Sequence, residues 1–287
     1  MPLRVLSIRD LFKQGVKKLS HIQDSELDVR ICLEAATGLS RSQVLIGLDQ
    51  PVSADVQDRF WGYVNKRMKD MPLAYVLGTA WFMGREFWIQ EGVLIPRPET
   101  ELLVQSAIQA IRAQMKDSSE CLIFECGFGS GVISIELGLA FPEATIHAWD
   151  ISKWAVQTAI VNAERHAVSN VQWHHGDFFD STALWRELVV TDKPSILISN
   201  PPYIPAKDIP TLDVNVKDFE PLEALSGGED GLDFYRKLLQ IKEEHALSLY
   251  LESGISQAKV IQSLTKSPGQ IIKDYQGIDR VIVFPGV

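Results

Sequence analysis

Cysteine is scarce in this sequence: Cys32, Cys121 and Cys126 are the whole complement of 287 residues. An odd number with no Cys-x-x-Cys pair excludes a disulfide framework and a zinc ribbon. Long apolar runs are lacking too. No stretch approaches the ~20 apolar residues that span a bilayer. Arg4, Arg9 and Asp10 interrupt the start of the chain, so neither a membrane segment nor a signal peptide is expected. Together these features predict a cytoplasmic protein. Basic charge is in short supply as well, with 28 Lys and Arg against 37 Asp and Glu, a formal charge of −9. A sequence-independent coat for DNA or RNA needs a basic surface to displace counterions, which this chain does not offer. The adjacent pair His174-His175 would point to opposite faces of a strand, so no metal site is expected. Internal repeats and low-complexity segments are absent.

What is present is an ordinary core-forming composition, 46% hydrophobic and 23% charged. The charge is unevenly spread. Residues 1–80 carry 11 Lys and Arg against 9 Asp and Glu, a net +2, and residues 81–287 carry 17 against 28, a net −11. The first seventy residues read as short helices. Ile8, Leu11, Phe12, Val16 and Leu19 recur at helical spacing. Ser25 with Asp28, and Ser40 with Gln43, read as capping patterns. Val56, Phe60, Val64 and Met68 line a fourth helix that Pro72 closes off. From about Leu77 to Ile95 aromatic and β-branched residues replace that pattern and predict a hairpin linker. A helix is then expected from the segment Pro96-Arg97-Pro98-Glu99-Thr100-Glu101 to about Met115.

Strand and helix alternate from there. Strands are expected at 121–126, 145–149, 170–174, 195–199 and 248–252, with helices near 131–140, 152–167, 231–246 and 256–265. Continuous apolar strands in alternation with helices predict a parallel sheet covered on both faces. Two closing strands, 270–275 and 280–285, are joined by only Gln276-Gly277-Ile278-Asp279, and so short a loop forces an antiparallel pair. The organisation expected is thus a helical domain over 1–75, a hairpin linker over 76–95 and an α/β domain over 96–287.

The first strand of that sheet runs into Glu125-Cys126-Gly127-Phe128-Gly129-Ser130-Gly131. Glycine at every second position lets backbone approach a ligand as the chain turns into a helix. A dinucleotide fingerprint would place its third glycine at Val132, so the spacing suits a ligand without a pyrophosphate. Asp150 ends the second strand, where an acidic residue accepts hydrogen bonds from ribose hydroxyls in this architecture. A third acid, Asp177, follows the third strand, and its neighbour Phe178 either covers an adenine ring or packs in the core. Three strand ends, each with an acid, point to a nucleoside without phosphate, a description that S-adenosyl-L-methionine fits. The fourth strand runs into Asn200-Pro201-Pro202-Tyr203 at the carboxyl edge of the sheet. A planar amino or amide nitrogen is a poor nucleophile because its lone pair is delocalised. The Asn200 side-chain oxygen and the Pro201 carbonyl can each accept one of its N–H groups, which aims it and favours the positive charge that develops on alkylation. Tyr203 is placed to stack on the planar group.

On these residues the sequence resembles the release-factor glutamine N5-methyltransferases, the HemK or PrmC family. The resemblance runs through Pro72-Leu73-Ala74-Tyr75-Val76-Leu77-Gly78, Ile95-Pro96-Arg97-Pro98-Glu99-Thr100-Glu101, Asn200-Pro201-Pro202-Tyr203-Ile204, Phe219-Glu220-Pro221 and Gly277-Ile278-Asp279-Arg280. It implies a seven-stranded, Rossmann-like methyltransferase sheet behind a small helical bundle that binds substrate. It also implies methyl transfer from S-adenosyl-L-methionine to the glutamine of the Gly-Gly-Gln loop of peptide chain release factors. Under it, Glu125, Gly127, Phe128, Gly129, Ser130, Gly131, Asp150, Asp177, Phe178 and Asn200 hold the cofactor. Asn200, Pro201, Pro202 and Tyr203 hold the glutamine, and Arg97, Glu99 and Thr100 lie near the mouth of the site. Three departures stand out: Glu125-Cys126 precede the glycines where the family usually has Asp-Leu, Glu252-Ser253-Gly254 replaces Glu-Ile-Gly, and Phe178 follows Asp177 where the family often has tryptophan or leucine. An adenine-N6 methyltransferase acting on DNA or RNA shares Asn-Pro-Pro-Tyr and is the competing reading. It would need a basic surface to hold its substrate, against the −11 of residues 81–287. A non-catalytic cofactor-binding protein would leave Asn200 without purpose.

Overall fold

The computed structural model describes residues 6–114, 121–181, 194–267 and 269–286. They divide into two compact units: the described residues up to Gly78 with Val214–Phe219, and those of Thr79–Asp213 and Glu220–Val287. The hairpin expected as a linker belongs to the second unit.

In the first unit, helix α1 (Ile8–Lys18) starts at Ser7, whose side chain and that of Asp10 cap each other's backbone. Helix α2 (Ser25–Thr37) ends at Gly38 in the left-handed conformation. Ser40 and Gln43 form the expected capping box of α3 (Arg41–Ile46), and Ser53 caps α4 (Ala54–Arg67). Ser25 and Asp28, in contrast, do not form a cap. Ser25 is already the first residue of α2, and the residue before it, Asp24, makes no capping bond. Asp28 is instead buried, accepting a 2.7 Å bond from Nε of Arg67 on α4. A carboxylate with an arginine within reach takes the charge-assisted bond in place of a backbone N–H. Pro72 opens a further short helix, α5 (Leu73–Leu77), that the pattern of α4 did not announce. Ile8, Leu11, Val29, Leu33, Phe60 and Val64 form the core between these helices. Gly15 sits where α1 crosses them, because a Cβ there would come within 2.9 Å of Phe60 and Val29.

In the second unit, β1 (Thr79–Phe82) and β2 (Arg85–Trp88) make an antiparallel hairpin. Helix α6 (Thr100–Gln114) follows; Met115, to which the sequence pattern extended it, lies outside the described residues. A seven-stranded sheet is built from β3 (Leu122–Cys126), β4 (Thr145–Asp150), β5 (Val171–His175), β6 (Ser195–Ser199), β7 (Leu247–Glu252), β8 (Gln270–Lys273) and β9 (Asp279–Phe284). Its order is β5-β4-β3-β6-β7-β9-β8. The first five strands are parallel, and β9 runs antiparallel between β7 and β8. Helices α7 (Val132–Ala140), α8 (Lys153–Arg165), α9 (Asp233–Glu244) and α10 (Ala258–Ser263) complete the alternation. The seven expected strands and these four helices all form within two residues of their sequence limits.

Strands β3 and β6 are buried along their whole length, as continuous apolar runs covered on both faces must be. The chain leaves β3 in one direction to build β4 and β5, and in the other to build β6 and β7. The carboxyl ends of β3 and β6 therefore flank the crevice where such sheets bind ligands. Gly127 and Asn200 are the residues that follow those two ends.

Candidate active site

Beyond β3 the backbone turns through Gly127 (φ 78°), Gly129 (φ 53°) and Gly131 (φ 81°), a left-handed conformation disfavoured for other residues. The three glycines do different things. A Cβ at Gly127 or Gly129 would meet no atom within 4 Å, and both residues line the crevice. A Cβ at Gly131 would lie 2.9 Å from the Cβ of Ala159 and 3.0 Å from Trp173. Gly131 thus lets α8 pack on the turn, while Gly127 and Gly129 leave a cradle for something else.

That cradle opens into a concave cavity at the carboxyl edge of the sheet. Gly127, Gly129, Asp150, Asp177, Phe178, Asn200 and Pro202 all line it. Asp150 is oriented by two backbone N–H groups at 2.8 Å, from Gly129 to Oδ2 and from Ser152 to Oδ1. Burial pushes its carboxyl above the ordinary range, and those two bonds oppose the shift. Asp177 accepts from the N–H of Phe179 at 2.9 Å and so fixes the turn after β5. Phe178 packs in the core, 3% exposed with its ring edge-on to Trp149 at 5.7 Å, and it also forms part of the cavity wall.

A smaller recess adjoins the same glycines and Asn200, lined by Glu125, Phe128, Ser130, Arg97 and Thr100. Glu125 is fully buried. Its Oε2 accepts from the N–H of Ser134 at 3.0 Å and from the Ser134 hydroxyl, which caps the first turn of α7. Its Oε1 is buried with no hydrogen-bond partner among the described residues. Burial raises its carboxyl to about 8, against the lowering effect of the Ser134 bonds.

Asn200 donates from Nδ2 to the Thr100 hydroxyl at 3.0 Å, and that hydroxyl donates to Oε2 of Glu252 at 2.7 Å. Pro201 is buried and Tyr203 half-buried, and neither lines the cavity or the recess. The Tyr203 ring packs toward Gly254, where a Cβ would approach it to 3.0 Å. Its carbonyl accepts from Gln257 Nε2 at 2.9 Å, which pins the loop. Gly131, Pro201 and Tyr203 are thus the expected site residues that the cavity and recess do not gather.

Glu220 was not singled out as a site residue by sequence alone. Its side chain is 1% exposed and joins the loop before α6 through Arg97 Nη2 at 2.6 Å and the N–H of Ile95 at 3.3 Å. The signals available were two stretches of the family resemblance, Pro96-Arg97-Pro98-Glu99-Thr100-Glu101 and Phe219-Glu220-Pro221, which lie more than a hundred residues apart and do not show in sequence that they meet.

Electrostatics narrow the ligand. Asp150, Asp177 and Glu223 face the main cavity, and its lining contains no Lys or Arg among the described residues. A pyrophosphate would meet carboxylates without a compensating cation. A ligand carrying positive charge is favoured there. The alternating glycines, the unpartnered Glu125 oxygen near the end of β3, Asp150 at the end of β4 and Asp177 just after β5 fit an uncharged nucleoside bearing a cationic tail.

Comparison with known proteins places the chain in a family. Residues 10–78 match the family model described as the PrmC N-terminal domain, and residues 117–208 match one described as a methyltransferase domain. The release factor glutamine methyltransferase of Bacillus subtilis is 33% identical over 96% of this chain and 96% of its own. That of Thermodesulfovibrio yellowstonii is 36% identical over 77% of this chain and 78% of its own. A solved structure from Alicyclobacillus acidocaldarius, described as a release factor-specific protein-(glutamine-N5) methyltransferase, is 26% identical. It covers 67% of this chain and 95% of its own, with a TM-score of 0.39. On the two relatives similar along most of their length, this chain belongs to the release factor glutamine methyltransferase family.

Proposed function

We propose that this protein transfers a methyl group from S-adenosyl-L-methionine to the side-chain amide nitrogen of the glutamine in the Gly-Gly-Gln loop of peptide chain release factors. The observation that carries the reading is Asn200, held at the carboxyl edge of β6 with Nδ2 engaged by Thr100 and Oδ1 left to accept. Gly127 and Gly129 would give backbone contact to the cofactor, Asp150 would hold its ribose, and Phe178 would lie against its adenine. The unpartnered oxygen of Glu125 would take the ammonium of its methionine end. When bound, the cofactor supplies a methyl group on a positively charged sulfur, a good leaving group.

The protein's own part is to make a weak nucleophile reactive. Asn200 Oδ1 and the Pro201 carbonyl accept the two N–H bonds of the substrate amide and turn its nitrogen toward the methyl group. As the new N–C bond forms, the nitrogen gains positive charge, which the same two acceptors stabilise more strongly than the neutral ground state. The excess proton on the product is very acidic and leaves to water, so no strong base is needed. The helical first unit, net basic, would hold part of the release factor.

The test is transfer of labelled methyl from S-adenosyl-L-methionine to purified release factor. Label should appear in the wild-type factor and be absent when its loop glutamine is replaced. Asn200→Ala should lower kcat by ~10²–10³-fold, as loss of one preorganised transition-state contact does, with cofactor affinity little changed. Label entering naked DNA or RNA in place of the factor would refute the reading.

A further inference from the structure

Asparagine is nearly symmetric in shape, so packing alone does not decide which end of its amide faces a ligand. In this site the decision matters. The oxygen accepts an N–H from the substrate; the amino end in the same place would oppose it.

The arrangement behind Asn200 settles which end faces outward. Thr100, the first residue of α6, has one hydroxyl proton, and its oxygen sits between Asn200 Nδ2 at 3.0 Å and Glu252 Oε2 at 2.7 Å. An ionised carboxylate only accepts, so the Thr100 proton must point to Glu252. With that proton committed, the Thr100 oxygen can only accept from Asn200, and the partner end must be Nδ2. Oδ1 then faces the opposite way. Thr100 is 3% exposed and Glu252 1%, so the pair is largely shielded from solvent. Glu252 is itself fixed from behind: its carbonyl accepts from the Tyr235 hydroxyl at 2.9 Å, and its strand pairs with β9.

We propose that Thr100 and Glu252 are positioning residues for methyl transfer, acting in series to hold the Asn200 amide with its oxygen toward the substrate. This rests on the function proposed above and adds to it a device that sets the polarity of the acceptor. If Glu252 takes up a proton, it can donate to Thr100. The Thr100 proton is then released to donate toward Asn200, and the amide is no longer held one way.

Several charged or titratable groups surround Glu252. Arg280 lies on β9, Arg97 and Glu99 on the loop before α6, Tyr235 on α9 and Tyr203 on the loop after β6. Burial is the main influence on Glu252 and raises its carboxyl to about 7. Glu99 adds to that, while Thr100 and the two arginines oppose it. Both tyrosine hydroxyls are pushed upward by burial, Tyr203 to about 12, so they stay neutral while Glu252 titrates. The device therefore weakens as pH falls through about 7.

The test is steady-state methylation of release factor by the full-length enzyme across pH 5.5–9, comparing wild type with Thr100→Val and Thr100→Ser. In the wild type, kcat should fall on acidification through about 7. Thr100→Val should lose about tenfold in kcat at pH 8, the worth of one hydrogen bond. Its cofactor Kd should be unchanged and its acidic limb in kcat absent, because protonation of Glu252 no longer reaches Asn200. Thr100→Ser keeps the hydroxyl and should restore both rate and limb. A merely structural role for Thr100 would not move the pH profile. If the valine variant does not fold, Thr100→Ala carries the same comparison. Valine or alanine activity within threefold of wild type, with the same acidic limb, would overturn the inference alone. A wild-type enzyme that labels no release factor would remove the proposed function and the inference with it.

Discussion

Glu125 has two oxygens with different histories: Oε2 caps α7 through Ser134, and Oε1 is buried beside the glycine turn without a partner. An unpaired buried oxygen is costly, and it is the kind of cost a ligand site carries. Without ligand the folded protein keeps the Glu125 proton up to about pH 8, whereas an unfolded chain releases it in the ordinary carboxylate range. Stability from this group is therefore full at low pH and is lost progressively as pH rises toward 8. Glu125→Gln should flatten the dependence of Tm on pH between 5 and 8 in the ligand-free protein. The same change should weaken S-adenosyl-L-methionine binding at pH 8 by ~10–100-fold, the worth of a charge-assisted bond. Wild-type affinity should tighten from pH 6 to 8 and that of the variant should not, measured by calorimetry. Sequence reading reached Glu125 but not Ser134, which lies nine residues on, and not the pairing of Thr100 with Glu252. Bonds between residues 152 positions apart depend on which strands become neighbours, and local pattern does not carry that.

At the level of the element, the strand-to-helix turn separates two kinds of glycine that look alike in sequence. Gly131→Ala forces a Cβ against Ala159 and Trp173 and holds alanine at positive φ. Overpacking of that kind costs ~1–3 kcal/mol, and the left-handed backbone adds ~1–2 kcal/mol. Gly127→Ala has the same backbone cost but no collision, so it should lower stability less while its methyl group intrudes on the cavity. Urea unfolding and cofactor titration of the two variants should give opposite rankings: Gly131→Ala more destabilised, Gly127→Ala more impaired in binding relative to its loss of stability. The sheet itself was legible because buried parallel strands are continuous apolar runs and a four-residue loop admits only an antiparallel pair. The capping pattern at Ser25 was misleading because it ignored a competitor: Arg67, 39 residues away, offers Asp28 a stronger bond than a backbone N–H does. The helix opened by Pro72 was hidden because five residues are too few to show a period.

For the molecule as a whole, the uneven charge bears on how a protein substrate is met. Lys13 and Lys17 are exposed on one face of α1, and the Lys18 ammonium lies over the Trp61 ring at 4.8 Å. Reversing all three to glutamate should raise KM for release factor several-fold, with a shallower salt dependence, and leave cofactor Kd unchanged. Lys17 and Lys18 also occupy the last turn of α1, where positive charge complements the helix dipole. A thermal melt must therefore accompany the measurement, and an unchanged KM in a folded variant would count against a docking role for this face. One feature of the sheet reaches further. β9 lies between β7 and β8 although it follows both in the chain, and its Val281 pairs with Glu252. A polypeptide is made from its amino end, so the glycine turn and Asn200 are synthesised well before the strand that steadies Glu252. Until that strand is inserted, the carboxylate that commits the Thr100 proton sits on an open sheet edge. The molecule can present a cleft of the right outline before it can present an acceptor of the right polarity. On the role proposed for Thr100 and Glu252, an unfinished chain lacks that setting, and full competence comes with the final insertion.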